Sequence, residues 1–345
     1  MISTKCISIQ LSLLFVLVNS LSIPNHIVSN SPIQNNNETH LKENQFQLEI
    51  ENIIRPAFEV PKASLPVGWD PNILSQEPFP DWLRSFTGLT EWPGLDPPYI
   101  PLDFIDFNSI PNFEPYNQGI CPGTRDSCSF DCYKCVEPDD ILSCDKLSQT
   151  FDDGPSPATP KLLDHLTHKT TFFTLGVNVV RYPEIYRRAR DSGHLMGSHT
   201  YSHKFLPSLT NEEIIAQIEW SIWAQNATGN HIPKWWRPPY GGIDNRIRSI
   251  SRQFGLQAVL WDYDSFDWQL LSNQRTEQQV LDDARRWKSQ SNNPRGLILE
   301  HDGALQTVNV GIGVNEILGS DQKKVSECVG GVDYGRVFNL SIKSI

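Results

Sequence analysis

Six short apolar runs alternate with helical patterns between residues 147 and 301, and no other feature restricts the fold so tightly. The runs cover 147–152, 171–176, 194–199, 234–238, 256–262 and 296–301. The segments between them carry helix signals. Pro160 to His168 opens with proline in a first turn, where a missing N–H does no harm, and Pro183 to Ser192 stops at Gly193. Thr210 stands three residues before Glu213, a capping-box spacing, and Ile214, Ile215, Ile218 and Ile222 then share one face. Asp244 to Phe254 and Thr276 to Ser289 complete the set. Repeated β-α units need crossover connections, so they build a parallel sheet, closed or doubly wound. In such folds chemistry gathers at the carboxyl ends of the strands.

The flanks are of a different character. Residues 1–22 read as a secretory signal: Lys5 supplies the positive charge, Ile9 to Val18 the short apolar stretch, and Val18-Asn19-Ser20 or Ser20-Leu21-Ser22 the cleavage site. That stretch is too short to cross a hydrocarbon core of ~30 Å comfortably. With no apolar tail to direct a lipid anchor, no stable membrane anchor is expected. Residues 23–60 are Asn-rich and read as a disordered leader. Residues 61–145 join a proline- and aromatic-dense segment, expected to be extended and free of regular helix, to a cysteine-rich turn region. The alternating region then defines a domain over 146–330, followed by a tail at 331–345.

Cys6 leaves with the signal, and Cys121, Cys128, Cys132, Cys135, Cys144 and Cys328 remain. An even number on an oxidising route implies three disulfides, with about fifteen possible connectivities. Five cluster and Cys328 lies far away, so one bridge is expected to tie the cluster to the C-terminal region. Sequons at Asn37, Asn226 and Asn339 are open to glycosylation. The chain carries 40 Asp+Glu against 29 Lys+Arg, a net charge of −11, which disfavours nucleic acid as a partner. Nothing in the sequence indicates an oligomeric state.

The first run ends in Thr150-Phe151-Asp152-Asp153-Gly154-Pro155. Adjacent carboxylates repel and push their pKa values apart, so one can hold a metal while the other takes a proton. After the third run, His199-Thr200-Tyr201-Ser202-His203 offers two histidines four apart. With one carboxylate they make a site that leaves a coordination position open for water. Arg237-Pro238-Pro239-Tyr240 ends the fourth run; the Arg can keep a carboxylate ionised, and the Tyr240 amide can serve as an oxyanion donor. Asp262, Asp264 and Asp267 precede Trp268, and His301 ends the sixth run, where a His backed by a carboxylate can act as a general acid. The remaining histidines, His26, His40, His165, His168, His194 and His231, receive no role.

Taken in order, the segments around Asp152, His199, Arg237, Asp264-Ser265-Phe266-Asp267-Trp268 and Leu297-Ile298-Leu299-Glu300-His301 resemble the five motifs of the polysaccharide deacetylases, the NodB-homology family. Trp92-Pro93-Gly94-Leu95-Asp96 and the cysteine cluster are similar to the fungal chitin deacetylases of yeast ascospore walls. The resemblance implies an α/β fold, a distorted (β/α) barrel of about seven strands, and a divalent metal, usually zinc, with cobalt an alternative. It also implies a chitin or chito-oligosaccharide substrate. By the same resemblance Asp153, His199 and His203 hold the metal, Asp152 is the general base and Arg237 orients it. His301 is the general acid, tuned by Asp267, with Asp264 the second choice. Trp268 and Leu299 line the pocket for the acetyl methyl.

Overall fold

The computed structural model describes residues 73–338; the signal, the leader and the sequons at Asn37 and Asn339 lie outside them. Nine strands follow in order: β1 (Leu147–Asp152), β2 (Thr171–Thr174), β3 (Leu195–Ser198), β4 (His231–Pro233), β5 (Trp235–Trp236), β6 (Gln257–Ala258), β7 (Tyr263–Asp264), β8 (Gly296–His301) and β9 (Tyr334–Val337). Each apolar run of the sequence contains one of them. The other three, β4, β7 and β9, have two to four residues and lie outside those runs.

Seven strands form one sheet in the order β6-β5-β3-β2-β1-β8-β7, every pairing parallel. β1, β2 and β3 are buried along their whole length, as strands covered on both faces must be. The two edge strands, β6 and β7, are separated by only four residues of chain, 259–262. Six gaps of about 4.8 Å would hold the edges of a flat sheet ~29 Å apart. Five residue steps reach at most about 17 Å. The sheet therefore has to curl, and because β6 and β7 do not pair it remains an open half-barrel of seven strands.

Helices pack outside it. Thr159–His165, Pro183–Asp191, Asn211–Gly229, Asn245–Gln253 and Glu277–Ser289 agree with the sequence patterns to within a few residues. Thr210 and Glu213 form the full capping box. Gly176–Arg181 and Leu305–Leu318 are additional. The latter is rich in Val, Ile and Gly, poor helix formers, so its conformation is set by packing. A side chain on Gly311 would lie 3.0 Å from the Phe151 ring, which shows how closely this helix approaches β1.

The proline-rich flank differs from expectation at two points. Asp81–Thr87 is helical, because Pro78 and Pro80 precede its first turn and take nothing from it. Phe107–Ser109 closes a single 3-10 turn capped by Asp106; stretches such as 93–100 are extended, and an extended stretch has no internal hydrogen bonds. Side chains of the barrel satisfy it instead. Tyr201, Ser202 and Trp220 donate to the carbonyls of Pro93, Leu95 and Pro98, and the Ile100 amide donates to Glu219.

Disulfides join Cys121 to Cys132, Cys128 to Cys135 and Cys144 to Cys328. Residues 334–337, in the expected tail, instead pair antiparallel with β4. Asn226 sits half-buried in the last turns of its helix, with Thr228 of the same sequon buried. His168 and His231, given no role from the sequence, are buried, His231 against the Tyr186 ring and hydroxyl. Among the described residues no helix is long and apolar enough to cross a membrane.

Candidate active site

The motif residues converge at the carboxyl ends of the sheet strands. Asp152 ends β1 and His301 ends β8, and these two are register partners. Side chains of register partners in a parallel pair point to the same face, so the two project together. His199 follows β3, Arg237 follows β5, and β7 leads into Asp267. Asp152, Asp153, His199, His203, Arg237 and Asp267 are all buried.

Arg237 is pinned on every side. Its Nη1 donates to Asp152 Oδ1 at 2.9 Å and to Thr150 Oγ1 at 2.7 Å, while Nε and Nη2 donate to the carbonyls of Val259 and Leu260. The guanidinium also lies over the Phe173 ring, 4.3 Å from its centroid. This fixes one oxygen of Asp152 and leaves Oδ2 toward His199, 3.7 Å from Nε2. Thr150 and Phe173 carry no assignment in the sequence, although Thr150 belongs to the first motif; only the fold brings Arg237 to them. Burial pushes the Asp152 carboxyl up to about 6, against the opposing pull of Arg237 and His301 and with help from the Asp153 charge.

His301 has the opposite tendency. Its Nδ1 lies 2.6 Å from Asp267 Oδ1, and its backbone N–H donates to Asp267 Oδ2 at 2.8 Å. Burial opposes charge on the ring, but the charge and hydrogen bond of Asp267, with Asp153 and Asp152 behind it, outweigh burial and raise His301 to about 10. Asp264 does other work: its Oδ1 accepts the Phe266 amide at 2.8 Å.

Asp153, His199 and His203 form a buried triad whose ligand atoms lie within 4.8 Å of one another. The His199 and His203 Nε2 atoms are 3.6 and 3.3 Å from Asp153 Oδ1. Ligands ~2.1 Å from a tetrahedral ion stand about 3.4 Å apart, so the spacing suits a common ion. Two further observations fit a metal. Asp153 Oδ1 is buried with no hydrogen-bond partner among the described residues. His199 Nδ1 lies 2.8 Å from the Arg237 carbonyl; a carbonyl only accepts, so Nδ1 holds the proton and Nε2 presents its lone pair. Burial and the neighbouring His203 hold His199 well below its usual pKa, and burial lowers His203 despite Asp153. Neutral imidazoles are what a cation requires.

The backbone is strained around these groups. Asp153, Thr200, His203, Tyr240 and Phe266 all have positive φ without being glycine. At Tyr240 the strain turns the ring against His203, with centroids 4.5 Å apart. Leu299 is buried on β8, and Trp268, next to the buried Asp267, is 42% exposed.

A family model described as polysaccharide deacetylase matches residues 140–259. Chitin deacetylase 2 of Saccharomyces cerevisiae is 62% identical over 267 residues, covering 76% of this chain and 85% of the relative. The chain belongs to the polysaccharide deacetylase family. Chitin deacetylase 1 of the same yeast is 60% identical over 262 residues, covering 75% and 86%. Among solved structures, the chitin deacetylase of Colletotrichum lindemuthianum superposes with a TM-score of 0.50 at 27% identity, over 56% of this chain and 92% of that one. The family match covers the strands that present Asp152, Asp153, His199, His203 and Arg237, while Asp267 and His301 of this chain lie beyond it.

Proposed function

We infer that this protein is a metal-dependent chitin deacetylase, hydrolysing the N-acetyl groups of N-acetylglucosamine units to acetate and free amine. One observation carries the chemistry: Asp152 and His301 are register partners across β1 and β8, each bonded to its own charged partner, Arg237 and Asp267, beside a metal-competent triad. The high identity to two chitin deacetylases carries the substrate. Asp153, His199 and His203 would hold a divalent ion, zinc by preference and cobalt as an alternative, which would supply Lewis acidity and lower the pKa of a water. Asp152, oriented by Arg237, takes a proton from the water as its oxygen attacks the acetyl carbon. The Tyr240 amide donates to the carbonyl oxygen as it gains charge. His301 gives its proton to the departing nitrogen as the C–N bond breaks, and Asp267 steadies the imidazolium until then. Leu299 and Trp268 face the acetyl methyl.

The setting follows from the sequence. The signal at 1–22 and three disulfides favour secretion to a cell or spore wall, and the sequons at Asn37, Asn226 and Asn339 allow glycosylation. Residues 146–330 are taken as the catalytic domain, with 61–145 as its fungal flank.

Acetate release from chitin oligomers, peptidoglycan and xylan, each with and without chelator, tests the reading. Release from chitin oligomers alone, abolished by chelation and restored by zinc or cobalt, is the expected result. Asp152→Asn should bind chitin but release no acetate, and His203→Ala should mimic chelation. Activity indifferent to chelators would overturn the metal assignment.

A further inference from the structure

Asp302, immediately after His301, has no part in the chemistry above, yet its hydrogen bonds go to the segment 152–159, which bears Asp152 and Asp153. Its Oδ1 accepts the Gly154 amide at 2.9 Å and its Oδ2 the Thr159 hydroxyl at 2.5 Å. Its own amide donates to the Asp152 carbonyl at 3.0 Å, and its carbonyl accepts the Ser156 hydroxyl at 2.6 Å. The residue is 1% exposed. The fit leaves no slack: a Cβ on Gly154 would lie 2.2 Å from one carboxylate oxygen and 2.4 Å from the other.

Asp153 needs such support. It holds φ at 80°, a conformation L residues rarely keep unless their surroundings impose it. Asn178 secures the Asp153 carbonyl at 2.8 Å. Asp302 secures the residues on either side, Asp152 and Gly154, and it does so from the strand that carries His301. Loss of the clamp therefore frees the metal-ligand turn to relax and changes its distance from the acid.

We propose that Asp302 is a positioning residue: its carboxylate clamps the Asp153–Gly154 turn to the end of β8 and thereby presets the metal ligand against His199, His203 and His301. The proposal rests on the reading of Asp153 as a ligand. It adds a residue to that site, because the Asp302 carboxylate bonds to Gly154 and Thr159 and to none of the three ligand side chains.

The test titrates zinc against a competing chelator in the purified full chain and in three variants, with circular dichroism to verify folding. Removing groups that orient metal ligands weakens binding by about 10–100-fold. Asp302→Ala is expected to raise the zinc dissociation constant by that factor and to lower kcat at saturating zinc with KM little changed. Asp302→Asn is expected to stay within about 3-fold of the parent, since its amide oxygen accepts from Gly154 and its NH2 donates to Thr159. Gly154→Ala leaves the carboxylate in place but drives the turn away from it, and should weaken zinc as Asp302→Ala does. A folded Asp302→Ala with unchanged zinc affinity and kcat overturns the proposal. If neither Asp302→Ala nor Gly154→Ala folds, Asp302 serves the fold and the proposal falls. A parent that binds zinc but releases no acetate would sink the catalytic reading and leave this one standing; a parent that binds no zinc would sink the ligand assignment itself.

Discussion

His301 and Asp267 share a 2.6 Å hydrogen bond, and under the proposed mechanism that contact is expected to set the alkaline side of the pH profile. The acid works only while protonated, so the rate should fall as pH rises through about 10. Asp267→Asn removes the charge and leaves burial to dominate, which lowers the His301 pKa. A pH–rate profile of that variant should show the alkaline limb moved down by about 1–3 units; an unmoved limb would show that Asp267 does not tune the acid. Asp152 sets the other side. It must be ionised, and Arg237 is a principal force lowering its pKa against burial. Arg237→Ala should therefore move the acidic limb to higher pH by a similar amount, alongside a loss of rate. The choice between Asp267 and Asp264 is one that sequence leaves open. Both lie near Trp268, and only the turn that directs Asp264 to the Phe266 amide separates their roles.

At the scale of elements, stability rests on a few polar anchors as well as on the apolar core. Arg248, on the Asn245–Gln253 helix, makes three contacts with Asp140 and donates to the carbonyls of Cys128 and Cys135. Both side chains of the pair are buried, so Arg248→Ala strands a charge in the protein and should cost about 3–5 kcal/mol in chemical denaturation. Thr210→Ala removes the cap of the Asn211–Gly229 helix, and a loss of ~1 kcal/mol with activity intact is expected by the same measurement. These elements differ in how readable they are. The Asn211–Gly229 helix announces itself through its capping box and isoleucine face, which are local features. The Leu305–Leu318 helix contains two glycines and β-branched residues, and its form depends on contact with Phe151 that no local pattern contains.

Over the whole molecule, the Cys144–Cys328 bond spans 184 residues, joining the approach to β1 to the segment just before β9. Replacing both cysteines with alanine should cost about 2–5 kcal/mol, read as a lower unfolding midpoint. An unchanged midpoint would mean that the β4–β9 pairing alone holds that end. The sequence by itself determined which groups are candidates to react and that parallel strands present them, because periodicity, capping and the adjacency of Asp152 and Asp153 are properties of short stretches of chain. It also showed that Cys328 must reach back to the cysteine cluster. Tertiary structure alone decided how the reacting groups pair. Arg237 meets Asp152 across 85 residues, and Asp302 meets Gly154 across 148. Strand order and the curl of the sheet create those meetings, and both depend on packing between distant segments. Two adjacent carboxylates became distinct in the same way: Asp152 is held by an arginine brought by β5, and Asp153 is turned at positive φ toward two histidines brought by β3.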